Sequence, residues 1–156
     1  RFVAGPETDR GGGIRTVAWA QPQVTDASAL LILWADIKAW EKFPERYWAN
    51  AAPATRDIMV GAIDQYYRGR EQVQRDEGMR SCGMAAGAIM LLAESMGYGT
   101  CPMDGFDFDA VGKLIRLPED HEIVMFVAIG KPAEAPYPTG GVLPSSEIIV
   151  TDRFGE

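Results

Sequence analysis

Residues 85–107 read Ala85-Ala86-Gly87-Ala88-Ile89-Met90-Leu91-Leu92-Ala93-Glu94-Ser95-Met96-Gly97-Tyr98-Gly99-Thr100-Cys101-Pro102-Met103-Asp104-Gly105-Phe106-Asp107. The first half closes a helical pattern that begins near Glu71. The stretch Gly78 to Ala88 is crowded with small residues. Glycine inside a helix costs ~1 kcal/mol relative to alanine, so several together need a compensating close approach by a backbone, a helix or a flat ligand. The long helix is therefore expected to be buried all round, at a domain centre or a dimer seam. Gly97 then marks the helix end. The segment from Gly97 to Phe106 is too rich in glycine and proline to predict regular structure. Its glycines let backbone N–H groups approach a ligand closely, and Pro102 fixes its shape. It is a pocket candidate or an ordinary tight connection.

Outward from this stretch, two apolar runs stand out. Ala29 to Ala35 and His121 to Gly130 are short, continuous and apolar on both faces, which predicts strands covered by helices. A further strand is expected at Arg1 to Ala4, turning at Gly5-Pro6, and a last short one at Ser146 to Val150. Gly11-Gly12-Gly13 reads as a flexible loop before a short helix from Ile14 to Trp19. It lacks the Lys-Ser/Thr ending of a phosphate loop. Asp36 is placed to cap a helix through Lys42, and Pro44 to Asn50 predicts another short helix. Pro53 opens a helix to about Tyr67, broken at Gly69. Tyr47, Trp48, Tyr66 and Tyr67 line a pocket or cover a core, covering being the expected role. Asp109 to Ile115 is a further helix, and Lys131 to Pro144 is irregular.

The 156 residues make one domain, 1–156, with 47% apolar and 24% charged residues. The net charge of −7 disfavours a phosphate backbone as partner, so no nucleic acid is expected. No apolar run is long enough for a membrane span. Two cysteines, Cys82 and Cys101, do not form a disulfide framework, so a reducing, cytoplasmic setting is expected. The lone His121 excludes a site needing two histidine ligands, and no zinc, haem or iron–sulfur pattern is present. The chain opens in a strand with no lead-in, which suggests a missing upstream segment.

Ala85 to Asp107 resembles the flavin-facing segment of nitroreductases. In that family a helix of the type Ala-Ala-Gly-x-x-Met-Leu-Leu-Ala-Glu ends in Gly-Tyr-Gly-Thr and continues into Pro-Met/Ile-Asp/Glu-Gly-Phe-Asp. Gln21-Pro22-Gln23-Val24-Thr25-Asp26-Ala27 is similar to the family's lead into a strand, and His121 to Pro132 to its closing strand. These matches are collinear and span nearly the whole chain. The resemblance implies an α+β fold, a mixed sheet flanked by helices around a long central helix, assembled as an intertwined homodimer. It implies FMN as cofactor and NAD(P)H as electron donor, with nitroaromatic, quinone or similar small aromatic acceptors reduced in a ping-pong order. Pro102 and Met103 would lie along the flavin ring, and the backbone N–H groups of Asp104 and Gly105 would face its reactive nitrogen. Gln21 touches the flavin or simply holds a turn. No catalytic side chain is required, since the flavin carries the chemistry. The Asp104 carboxylate is expected to be solvated. Three departures bear on the phosphate. The family's Arg-rich N-terminal motif has no counterpart here, no Lys or Arg precedes Leu143-Pro144, and Ala20 stands where Asn is frequent. They keep two other readings in view: a flavin-binding protein without turnover, and reductive dehalogenation or flavin breakdown on the same scaffold.

Overall fold

The two apolar runs form the middle of the sheet. The computed structural model describes residues 2–4, 8–135, 138 and 140–154, and for 2–4 and 8–12 the backbone alone. Strands β1 (Phe2–Ala4), β2 (Ala29–Asp36), β3 (Gly99–Met103) and β4 (His121–Gly130) line up in the order β1-β2-β4-β3. The long pair β2–β4 runs from Ala29 opposite Ile129 to Asp36 opposite His121, with a bulge between Leu33 and Trp34. All three pairings are antiparallel. The α+β architecture and the long central helix are as expected, but among the described residues the sheet is antiparallel, not mixed.

Helices cover both faces. One face carries α1 (Thr8–Val17), α2 (Gln23–Asp26) and α6 (Phe108–Ile115). Its core joins Ile14, Ala18 and Val24 to Ile32, Met103, Phe106, Val111 and Phe126. Phe106 stacks on Phe126 with ring centroids 3.8 Å apart. The other face carries α5 (Glu71–Ser95), whose Cys82 and Ala86 pack on Leu33 and Val127. Helices α3 (Ala39–Lys42) and α4 (Pro53–Tyr67), with a 3₁₀ turn Pro44–Trp48 between them, form an excursion between β2 and α5. Gly69, at φ +71°, makes the turn from α4 into α5 that the sequence placed there.

Lys42 ties the excursion to the sheet. Its Nζ lies 2.9 Å from Asp36 and 2.6 Å from Asp120, and His121 Nδ1 lies 2.6 Å from Asp120. Asp36 ends β2 and does not cap α3. Its Oδ1 accepts from the Lys38 N–H at 3.0 Å, and Lys38 takes the cap position.

Four further expectations are corrected. Gly11 to Gly13 lie inside α1. A Cβ on Gly13 would already touch Leu114 of α6, so close packing of the two helices offsets the poor propensity. Residues 99–103, expected to be irregular, form β3. Pro102 is tolerated because β3 is an edge strand, where no outer ladder bond is lost. Residues 145–148 form the short helix α7 in place of a strand. Finally, α5 is not buried all round. Only Gln74, Cys82, Ala86 and Ala93 are buried on it, while Met84, Leu91 and Leu92 are more than 60% exposed. Gly78 has the close approach its composition demanded, since a Cβ there would meet that of Ala35 at 2.8 Å, whereas Gly83 and Gly87 face nothing within 4 Å. The Gly5-Pro6 turn, Arg1 and Thr139 lie outside the described residues.

Candidate functional site

The connection from β3 to α6 is built by three anchors. Phe106 is buried and held between Phe126 and Phe108. Asp107 caps α6, its Oδ1 accepting from the Ala110 N–H at 2.9 Å. The Asp107 backbone N–H donates to the Val17 carbonyl at 2.9 Å, tying the turn to the end of α1. Gln21 supplies a cross-link from the α1–α2 corner, donating from Nε2 to the Gly105 carbonyl at 2.8 Å and the Ala18 carbonyl at 3.2 Å.

Within this frame the backbone N–H groups of Asp104 and Gly105 donate to no group among the described residues, although the Asp104 carbonyl accepts from Phe106 at 3.1 Å. Two adjacent donors on an anchored turn suit an electron-rich acceptor, and their fixed direction lowers the cost of ordering when one binds. Pro102 is exposed beside them.

Of the five residues singled out from sequence, Gln21, Asp104 and Gly105 are thus brought together, and Pro102 adjoins them. Met103 is not available in the way expected. It is 5% exposed, and alternation along β3 turns its side chain into the core with Phe126 while Pro102 faces out. The sequence reading missed Trp19. Its ring lies over Gly105 so closely that a Cβ there would come within 2.7 Å of Cζ3, yet Trp19 is 73% exposed. Trp19 and Ala20 both adopt left-handed backbone, φ 52° and 57°, a costly pair without glycine. Only its position two residues before Gln21 pointed to it, since an isolated tryptophan after a helix carries no periodic signal.

Residues 13–131 match the model of the nitroreductase family, well over half of the chain. The chain belongs to the nitroreductase family. Among its relatives, Protein DrgA of Synechocystis sp. is 51% identical over 114 residues, covering 73% of this chain but 54% of DrgA. MhqN of Bacillus subtilis, provisionally named an NAD(P)H nitroreductase, is 30% identical and is aligned over 96% of this chain and 76% of its own length. The chain therefore spans about half of one curated relative and three quarters of the other. The nitroreductase fold is also found in a provisionally named nitroreductase of Bacillus subtilis, ydfN, with a TM-score of 0.89 at 30% identity, covering 97% of this chain and 76% of that one. A further nitroreductase-like structure from Exiguobacterium sibiricum, solved in complex with FMN, has a TM-score of 0.86 at 27% identity and covers 97% of this chain and 75% of that one. No described helix of this nitroreductase-family chain is long and apolar enough to cross a membrane.

Proposed function

We propose that this chain is an FMN-dependent oxidoreductase that carries reducing equivalents from NAD(P)H to nitroaromatic, quinone or similar small organic acceptors, donor and acceptor using one slot in turn. The observation that carries the reading is the pair of backbone N–H groups at Asp104 and Gly105 that donate to no group among the described residues, held on a turn anchored by Phe106, Asp107 and Gln21. Support comes from the FMN complex of the Exiguobacterium relative and from the NAD(P)H in the name of MhqN.

The turn suits the ring system of such a cofactor. Asp104 and Gly105 would donate to it through the backbone, and Pro102 would offer an apolar edge. Gln21 acts one step back, fixing the Gly105 peptide through its carbonyl. Trp19 limits how far the turn can move toward α1. Bound there, FMN supplies the two-electron carrier between nicotinamide and acceptor, and the protein supplies orientation and hydrogen bonds. The phosphate of FMN needs cationic partners, and neither residues 102–107 nor 140–144 contain Lys or Arg, so the turn is proposed for the ring alone.

We place the active form as a homodimer. On the outer side of α5, Met84, Leu91, Leu92 and Met96 are each more than 60% exposed, and Gly83 and Gly87 leave room for a neighbouring backbone. Exposed apolar side chains gathered on one helix suit an association surface.

Reconstitution of the purified chain with FMN, followed by oxidation of NADH or NADPH with a nitroaromatic or quinone acceptor, tests the reading. Saturable flavin binding with acceptor-dependent turnover is expected. Tight binding without turnover from either nicotinamide favours the binding-only reading, and a chain that no FMN reconstitutes overturns both.

A further inference from the structure

The corner between α1 and α2 is strained. Trp19 and Ala20 follow one another in left-handed backbone, φ 52° and 57°, and neither is glycine. A residue with a Cβ is unfavourable there, and two in a row persist only where the surroundings impose them. The corner leads directly into Gln21, whose Nε2 donates to the Gly105 carbonyl at 2.8 Å, and it lays the Trp19 ring over Gly105. Its shape therefore decides where the Asp104–Gly105 turn is held.

Arg15, in the last turn of α1, supplies the grip. Its carbonyl accepts from the Ala20 N–H at 3.0 Å. Its guanidinium reaches over the same corner, donating from Nε to the Ala20 carbonyl at 3.4 Å and from Nη1 to Thr25 Oγ1 of α2 at 3.1 Å. One residue thus holds Ala20 by both its N–H and its carbonyl. The Thr25 hydroxyl donates in turn to Asp26 Oδ1 at 2.9 Å, which sets a carboxylate behind the far end of the clamp. Among the described residues no carboxylate pairs with Arg15 directly, so its donors are spent on the two sides of the corner. A planar guanidinium with donors in a fixed fork spans two acceptors that a single ammonium nitrogen does not.

We propose that Arg15 is a positioning residue for the flavin turn, clamping the left-handed corner so that Gln21 holds the Gly105 carbonyl and the N–H groups of Asp104 and Gly105 keep their direction. Arg15 acts through Ala20 and Gln21. The ligand in this proposal rests on the flavin reading, whereas the coupling of Arg15 to Gly105 is a property of the free chain.

The test uses the full chain, without and with FMN. Without it, Arg15→Met is expected to move the side-chain amide signals of Gln21 and the backbone amide of Gly105 in ¹⁵N spectra, while amides at the centre of β4 stay in place. With it, Arg15→Met and Arg15→Lys should each weaken FMN binding about tenfold, through the loss of hydrogen bonds from a charged group. Ala20→Gly added to the Arg15→Met chain removes the steric penalty at the corner. It should restore most of the affinity and return the Gln21 signals toward their parent positions. Should Arg15→Met fail to fold, Thr25→Val, which removes one arm of the clamp at an exposed position, is read in the same way, with about a threefold loss expected. Gln21 and Gly105 signals that stay unmoved overturn the proposal, and so do shifts spread evenly over the sheet, full affinity in Arg15→Lys, or no recovery with Ala20→Gly. A parent chain that no FMN reconstitutes overturns the flavin reading alone, since the spectra of the free chain still decide the clamp.

Discussion

The face of the sheet under α1, α2 and α6 is filled by large side chains from every element, with Phe106, Phe126 and Val111 at most 4% exposed. The face under α5 has a thinner core of Leu33, Val127, Cys82 and Ala86, and the helix that covers it presents Met84, Leu91 and Leu92 to solvent. The first face is completed by its own chain and can hold a backbone turn rigid. The second leaves large apolar side chains on the outer side of its covering helix. On the proposed reading, rigidity for a ligand and surface for a partner are divided between the two faces.

The largest expected effect breaks the first face. Phe126→Ala removes the ring on which Phe106 stacks and should destabilise by about 3–5 kcal/mol in urea denaturation, with loss of FMN binding as the turn loosens. On the second face, replacing Leu91 and Leu92 together by Glu should leave the monomer folded and cost about 3 kcal/mol of association, seen as a shift from dimer to monomer in sedimentation. An unchanged mass would remove the dimer from the account. Gly105→Ala comes next. Its Cβ meets the Trp19 ring, an exposed side chain that can yield, so the fold should survive while FMN affinity falls about tenfold, or ~1.4 kcal/mol. Asp107→Ala loses the α6 cap and should cost about 1 kcal/mol of thermal stability.

The smallest effect concerns the Lys42 tie. The Lys42 and His121 hydrogen bonds hold the Asp120 carboxyl below its ordinary value, and the Asp120 and Asp36 bonds raise Lys42 above its own. A depressed acid stabilises above its unfolded pKa, and that contribution is lost as pH falls through the folded value. A raised lysine stabilises below its unfolded pKa, and that contribution is lost as pH rises through the folded value. The tie should therefore act from the carboxylate range up to the lysine range. Asp120→Asn should lower melting slightly inside that window and flatten the acid limb below it, since exposed pairs contribute little.

Much of this division was legible in the sequence. The strands β2 and β4 declared themselves as apolar runs too short for buried helices, Pro53 and Gly69 bracketed α4, and the small residues of α5 asked for a close neighbour. Among the glycines of α5 only Gly78 has it, in β2, while Cys82 and Ala86 pack on Leu33 and Val127, so a pattern that means "packed" does not say what packs at each position. The Asp104–Gly105 turn was singled out by its glycine and proline and the resemblance they carry. The misses share a cause. Glycines 11–13 are helical, and 99–103 pair as a strand, because tertiary contacts with α6 and β4 override local propensity. Met103 was misplaced because, without β3, its alternation with Pro102 was invisible. The placing of Trp19 over Gly105 depends on three-dimensional neighbours that no spacing encodes.

The central claim is that the backbone N–H groups of Asp104 and Gly105 face a flavin ring. Amide resonances of the ¹⁵N-labelled chain, followed while FMN is added, address it directly. The account predicts that Asp104 and Gly105 shift most and saturate together with the quenching of flavin fluorescence. FMN that binds while these two amides stay unmoved would contradict it.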